Sequence, residues 1–480
     1  DQPRSRGLGD VYKRQLLYMS SLRVSSYVIS IPLEDTADQY MLIHGYTGAI
    51  DIATKELATA LRENKEFSEE DSPFGKELLA SLKQRGYVTD KSAEEEYAYT
   101  AHLADVLHRA RKALYKGFTF LISYNCNFRC PYCYEGSMSG NGENWSKRTF
   151  TKEMADRAFD AMLRIEPRRE LHSKVITLYG GEPLLKENKE IVSYIVRKGK
   201  ELGYSFFAIT NGYDLEAYED LLGANLIEKL QITVDGCKER HNARRRHFQD
   251  GATFDQIIQN IGLALAKDCS VSVRVNTDAN VFNDLKLLHQ LFTELHYTEK
   301  KGFSMYSALL QNSNPAGLVS KSDSLKFLSV GEFMQKHKDA NFLYGCQDFG
   351  AYRKIISALQ NKTFINLSST FCGAQIGSYV LDPQGDIYAC WETVGKPELI
   401  LGHYSDSEIH WTSTVKQWQT HNSSRSKICY ACKYSLLCGG GCLAHHVKSQ
   451  IEFELQKCEK YPIRFRYAAN RAYHDFMTGM

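Results

Sequence analysis

The stretch Phe118–Cys133, FTFLISYNCNFRCPYC, decides the fold. Its first half, Phe118 to Ser123, is a β-favouring apolar run of strand length. Its second half places Cys126, Cys130 and Cys133 on one short loop, with gaps of three and then two residues. Thiolates so close in sequence form a soft donor set suited to iron–sulfur clusters or zinc. Three of them can hold a [4Fe-4S] cluster by three irons, leaving the fourth iron open for a small chelating ligand.

Outward from this stretch, strand-like runs recur at Val175 (VITLY), Phe206 (FFAIT), Leu230 (LQITV), Val271 (VSVRV) and Phe303 (FSMYSALL). Amphipathic segments separate them, such as the stripe Phe254, Ile257, Ile258, Ile261 and Leu265. Alternation of this kind predicts an α/β fold, a partial (β/α)6 TIM-like barrel over residues 97–340, with its active site on the loops at the carboxyl ends of the strands. Those ends carry polar groups. VITLY runs into Gly180, Gly181, Glu182 and Pro183, where glycines allow close backbone approach to a ligand and a carboxylate can bind an ammonium. Thr210, Asn211 and Gly212 follow the next run, then Thr233, Asp235 and Gly236, then Arg274 and Asn276.

The cysteine spacing, with the aromatic Tyr132 before the third cysteine, resembles that of the radical S-adenosylmethionine (SAM) enzymes over about Phe118 to Leu310. The resemblance implies that Cys126, Cys130 and Cys133 form the catalytic centre by holding a [4Fe-4S] cluster, whose open iron is chelated by the amino and carboxylate groups of SAM. An electron from the cluster would cleave SAM to methionine and a 5'-deoxyadenosyl radical, which takes a hydrogen atom from substrate. By the same resemblance the segment Gly180, Gly181, Glu182, Pro183 holds the SAM amino group. Tyr132, Thr210, Asn211, Thr233, Arg274 and Asn276 line the cofactor pocket, with Thr233 and Arg274 placed for the carboxylate or ribose. HNARRR from His241 looks like a family motif ending in arginine, carried by Arg244, Arg245 or Arg246.

Beyond Asn341 the alternation fades, and residues 341–480 are expected to be loop-rich, short of core and stapled by metal. Cys372, Gly385, Cys390, Cys429, Cys432, Cys438, Cys442 and Cys458 resemble the SPASM extension of radical SAM enzymes that modify peptides and proteins. The resemblance implies two auxiliary [4Fe-4S] clusters, one on Cys372, Cys390 and Cys442, the other on Cys429, Cys432, Cys438 and Cys458. Zinc is the competing use of Cys429 to Cys442, although seven cysteines do not divide into four-ligand sites unaided. Cys346 is either a fourth ligand of the first auxiliary cluster or a buried thiol. Cys237 and Cys269 are expected to be structural, and His445 and His446 to be surface residues.

At the other end, residues 1–18 carry no apolar period and are excluded from the fold, with Met19 as the expected start. Residues 19–96 read as a winged-helix-like module. Strands at Tyr27–Ile31 and Tyr40–His44 flank a turn over Glu34–Gln39, and a third run follows at Ala49–Ile52. Helices follow at Thr54–Glu63 and Pro73–Gly86, the latter with the stripe Phe74, Leu78, Leu79 and Leu82. A polar segment, Asp90–Glu96, precedes a helix from about Tyr97 to Tyr115. The module looks like the peptide-recognition element of maturases of ribosomally made peptides, which would bind a leader peptide as an added strand.

Composition narrows the function. The chain has 480 residues, room for about three domains, and its 59 basic and 57 acidic residues leave a net charge of +2. That balance argues against nucleic acid as a partner. No apolar stretch is long enough to span a bilayer, so no membrane role and a cytoplasmic location are expected. Thirteen cysteines, an odd number, argue for thiolate ligands over disulfides in a reducing compartment. The combined reading is a radical SAM peptide maturase that installs a thioether or carbon–carbon crosslink in a precursor peptide, with three [4Fe-4S] clusters, SAM and an external low-potential electron donor. Its rival is an anaerobic sulfatase-maturing enzyme, which forms formylglycine. There an aspartate base directly follows the cysteine matched by Cys390, a place held here by Trp391 with Glu392 next. A zinc-dependent binding protein is the alternative from another class.

Overall fold

A computed structural model describes residues 21–64, 66–135, 147–311, 325–341, 345–448, 458 and 460–479. Residues 1–18, expected to stand apart from the fold, lie outside that set. The first strands are β1 (Leu22–Val24), β2 (Val28–Pro32), β3 (Gln39–His44), β4 (Ile50–Thr54), β5 (Glu66–Phe67) and β6 (Val88–Thr89). They form an antiparallel β2-β3-β4 sheet and a small β5-β1-β6 sheet. Helix α1 (Lys55–Glu63) starts at Thr54, whose side chain accepts from the Leu57 N–H, and α2 (Lys76–Arg85) stops at Gly86. Of its expected apolar stripe Leu79 and Leu82 are buried, with Phe74 just before the helix, whereas Leu78 is 40% exposed. Helix α3 (Ala93–Leu114) begins four residues before the expected start. Ser92 and Glu95 form a reciprocal capping box, which turns the acidic segment into a first turn where carboxylates face the positive helix end.

All six barrel runs are strands: β7 (Gly117–Leu121), β8 (Val175–Tyr179), β9 (Ser205–Thr210), β10 (Ile227–Thr233), β11 (Ser270–Thr277) and β12 (Phe303–Leu309). They lie side by side in chain order and in parallel. Helices α4 (Lys152–Ile165), α5 (Lys189–Glu201), α6 (Lys238–Arg244), α7 (Phe254–Ala266) and α8 (Ala279–Glu294) run between them. Alternate strand residues such as Phe120, Leu178, Phe206, Ile232 and Val273 pack with Val192, Ile257 and Leu285 of these helices into one core. The intervening Thr177, Tyr179, Gln231, Ser272, Arg274 and Asn276 are half-buried. Because strand side chains alternate between faces, the inner face of the sheet borders a polar lumen rather than a packed centre. The Tyr306 hydroxyl, for example, donates to Gln231 Oε1 across it at 2.9 Å.

The region after Asn341 is more ordered than its sequence suggests. Strand β13 (Gly345–Cys346) pairs with β12, and β14 (Ser378–Leu381) pairs in parallel with β7, so both edges of the barrel sheet are extended. Strands β15 (Asp386–Tyr388), β16 (Gly402–His403) and β17 (His410–Trp411) continue it antiparallel. Helices α9 (Ala351–Asn361) and α10 (Tyr461–Thr478) bury Ile355, Tyr461, Phe465 and Ala468 against Ile29, Ile31, Met41 and Ile43. The expectation of little core therefore fails. The missing apolar partner is the hairpin β2-β3, more than 300 residues away in sequence, which no local pattern reveals.

Candidate functional site

The loop after β7 brings Cys126, Cys130 and Cys133 within electrostatic reach of one another. Burial holds the Cys126 thiol well above its ordinary range and pushes Cys133 up to about 12. Metal loading must therefore expel these protons. The loop after β8 backs the cysteine loop. Gly181 N–H donates to Ser123 O at 2.9 Å and Glu182 N–H to Asn125 O at 2.8 Å. A Cβ on Gly180 would lie 2.2 Å from Ser123 O, and one on Gly181 2.4 Å from Asn125 O. The glycines are thus required for contact between two loops, where the sequence suggested approach to a ligand.

Glu182 is buried at the junction of three loops. Its Oε1 accepts from Leu184 N–H at 2.9 Å and from the Thr210 hydroxyl at 2.6 Å, and its Oε2 accepts from Asn211 N–H at 2.6 Å. Burial nevertheless pushes its pKa up to about 7. No salt bridge to Glu182 occurs among the described residues, so this carboxylate near Cys126 has no side-chain cation. Thr210 and Asn211 therefore orient Glu182. Asn211 also donates to Asn127 Oδ1 at 2.8 Å, tying β9 to the cysteine loop, and Pro183 O accepts from Asn188 Nδ2 at 3.3 Å.

On the opposite side, the Tyr132 hydroxyl donates to Asp235, and Arg245 Nη1 donates to the Tyr132 oxygen at 3.0 Å. Asn276 reaches both, through its backbone N–H to Asp235 Oδ1 at 3.2 Å and its Nδ2 to the Tyr132 oxygen at 3.4 Å. Among the three candidate arginines, Arg244 is buried against Asp278 at 2.6 Å and Arg246 is exposed, whereas Arg245 is buried beside Tyr132 and Cys130. Arg245 is thus the one of the three arginines placed at the cysteine loop. Its Nε is a buried donor with no hydrogen-bond partner among the described residues. Thr233 pairs in register with Arg274, whose Nε donates to Asn276 Oδ1 at 2.9 Å. Three soft thiols, a carboxylate without a side-chain cation and an unsatisfied guanidinium N–H fit a cluster-bound ligand carrying both an amino group and a carboxylate.

The C-terminal cysteines have cysteine neighbours. Cys390 feels the charges of Cys372 and Cys442, and Cys438 those of Cys429, Cys458 and Cys432. Cys346 instead joins an apolar cluster with Leu309, Phe333 and Tyr467, and its electrostatic neighbours are Asp348, Tyr467, Arg471 and Arg464. Cys269 is buried with its thiol on Ile227 O at 3.2 Å, and Cys237 precedes α6 with its N–H on Asp284. His445 is half-buried, and the His446 side chain lies outside the described set. No described group of three or more His, Cys, Asp or Glu side chains converges as closely as a single metal ion requires. Sequence reading missed one link. The hydroxyls of Tyr134 and Tyr179 are hydrogen-bonded at 2.6 Å, and Tyr179 stacks on Trp391 with ring centroids 5.2 Å apart. Tyr134 follows Cys133 and Trp391 follows Cys390, so an aromatic bridge joins the two cysteine loops. Both residues follow a cysteine in the sequence, but only the fold shows that Tyr179 lies between them.

The parallel partial barrel carries three thiols on the loop after its first strand. Residues 120–278 match the Radical SAM superfamily, and the protein carries that domain. It is similar to a cysteine-type anaerobic sulfatase-maturating enzyme of Clostridium perfringens, 23% identical over 365 residues that cover 73% of this chain and 95% of that protein. It is also similar to the radical SAM cyclopropyl synthase TigE of Paramaledivibacter caminithermalis, 22% identical over 497 residues that cover 96% of this chain and 98% of TigE. Among solved structures, native anSMEcpe with bound AdoMet and Cp18Cys peptide shares the fold. Its TM-score is 0.54 at 17% identity, with coverage of 76% of this chain and 98% of that one.

Proposed function

We propose that the protein is a peptide maturase that installs a thioether or carbon–carbon crosslink in a ribosomally made precursor peptide. The observation that carries this reading is a groove of about 790 Å³ between the outer edge of β2 and helix α1, outside the barrel. Tyr27 O accepts from Gly45 N–H, and Leu33 N–H donates to Gln39 O. By antiparallel alternation the odd residues of β2 bond to β3, so Val28 O, the N–H and C=O of Ser30 and Pro32 O face away from β3, while the Val28 N–H is taken by Ser25 O. Those three residues line the groove. A leader peptide could therefore add as a strand there while its modified segment enters the lumen. TigE matches nearly the whole chain, including this module, whereas the sulfatase-maturating relative leaves about a quarter of it uncovered.

In this reading Cys126, Cys130 and Cys133 hold a [4Fe-4S] cluster and Glu182 holds the amino group of SAM. Tyr132, Thr233, Arg274 and Asn276 border the same ligand. Bound there, cluster and SAM supply a 5'-deoxyadenosyl radical able to remove a hydrogen atom. Cys372, Cys390 and Cys442 would hold one auxiliary cluster, and Cys429, Cys432, Cys438 and Cys458 another, with electrons from an external low-potential donor. The chain's own work is to exclude water from the buried thiols, to orient Glu182 through Thr210 and Asn211, and to hold the loops of Cys133 and Cys390 together through Tyr134, Tyr179 and Trp391. Incubating the reconstituted enzyme with peptides encoded beside its gene tests the proposal by mass spectrometry. A mass loss of two hydrogens with formation of 5'-deoxyadenosine is expected. Conversion of a sulfatase-derived cysteine peptide to formylglycine, with no change in the neighbouring peptides, would establish the rival activity instead.

A further inference from the structure

One wall of the β2 groove belongs to the C-terminal cysteine loop, not to the N-terminal module. Lys433, between Cys432 and Tyr434, lines the groove and donates from Nζ to Val28 O at 3.1 Å. The seat is close-fitting, since a Cβ on Gly45 would lie 2.1 Å from Lys433 O. Lys433 thus occupies one of the edge acceptors that an incoming strand would use. Its ammonium is half-buried and pairs with no carboxylate among the described residues. Of the other cations of the groove, Arg23 is paired with the buried Glu96, and Arg62 is largely exposed, 4.0 Å from Glu63. Glu66 and Glu94 also line it. The groove is therefore bipolar: a lysine held by a backbone carbonyl at the Val28 end, with two carboxylates elsewhere on its wall.

We infer that Lys433 is a specificity residue, which selects an extended peptide segment carrying an aspartate or glutamate where it faces Val28. A docking peptide has its own backbone N–H to offer Val28 O. Displacing the ammonium from that carbonyl would leave it desolvated unless the peptide supplies an anion, and a carboxylate at that register supplies one. The inference rests on strand docking at β2 and adds the side-chain chemistry of the ligand.

The test pans a phage-displayed library of random dodecapeptides against the cluster-loaded full chain, in wild type and in the variants Lys433→Glu, Lys433→Met and Ser30→Pro. Wild type should enrich Asp or Glu at one position of a shared motif. Lys433→Glu should enrich Lys or Arg at that position and bind the wild-type motif at least about tenfold more weakly. Lys433→Met should lose the preference without reversing it. Matching iron content and circular dichroism establish that each variant is folded and loaded. Motifs unchanged in both Lys433 variants overturn the role of Lys433. Ser30→Pro removes the central edge N–H and should abolish enrichment. If it selects the wild-type motif, or if wild type enriches nothing, docking at β2 itself is overturned.

Discussion

The cysteines after β7 and those after Asn341 come together by opposite routes. The first three lie within eight residues, and their loop is held from behind by the backbone of Gly181 and Glu182 and from the sides by Asn211 and Tyr132. The others are drawn from positions spread between Cys372 and Cys458. One of their loops seats on the N-terminal sheet through Lys433, and another reaches the barrel through Trp391. The first group is a site built on a finished scaffold. In the second, any metal that these cysteines hold would tie distant segments together, so that binding it would be part of folding.

That contrast breaks most easily at the first group. Cys126→Ala should abolish 5'-deoxyadenosine formation while leaving the far-ultraviolet spectrum and thermal midpoint close to wild type. A collapse in stability would show that the β7 loop also depends on its metal. The next effect in size is metal removal. Chelation should raise hydrogen exchange in 427–442 by roughly a hundredfold or more, as expected where local opening replaces protected structure, and leave β8 and β9 little changed. Equal loss of protection in both regions would erase the distinction.

A smaller effect concerns Glu182. Its carboxyl, raised to about 7, is largely neutral below that pH and ionised above it. The amino N–H groups of SAM donate best to the ionised form, so SAM affinity in wild type should rise as pH passes from 6 to 8. Glu182→Gln should weaken binding about tenfold, the loss of one charge-assisted contact, and flatten the profile in calorimetry. The smallest effect sits on the bridge between the groups. Tyr179→Phe removes the hydroxyl bonded to Tyr134 but keeps the ring on Trp391, and should cost about 1 kcal/mol in denaturant unfolding.

What the sequence made legible follows the same division. All six barrel strands and the cysteine loop after the first of them were readable, because strand runs are local and the three cysteines are close in sequence. Gly180 and Gly181 also lie against the backbone of Ser123 and Asn125, a contact hidden in the sequence because β7–β8 pairing alone brings it about. Arg245 could not be told from Arg244 and Arg246 until Tyr132 and Asp278 were placed around them. The core of α9 and α10 was invisible because its apolar partner is the β2-β3 hairpin. Lys433 had no signal at all: its meaning comes from Val28 O.

The central claim is that the three thiol groups hold three [4Fe-4S] clusters, and iron and sulfide analysis combined with Mössbauer spectroscopy on the anaerobically reconstituted chain tests it most directly. The account predicts about twelve irons and twelve sulfides per chain, falling to about eight of each when Cys126, Cys130 and Cys133 are all replaced by alanine. Fewer than about eight irons in the wild type, or one or more equivalents of zinc in the C-terminal cysteines, would contradict it.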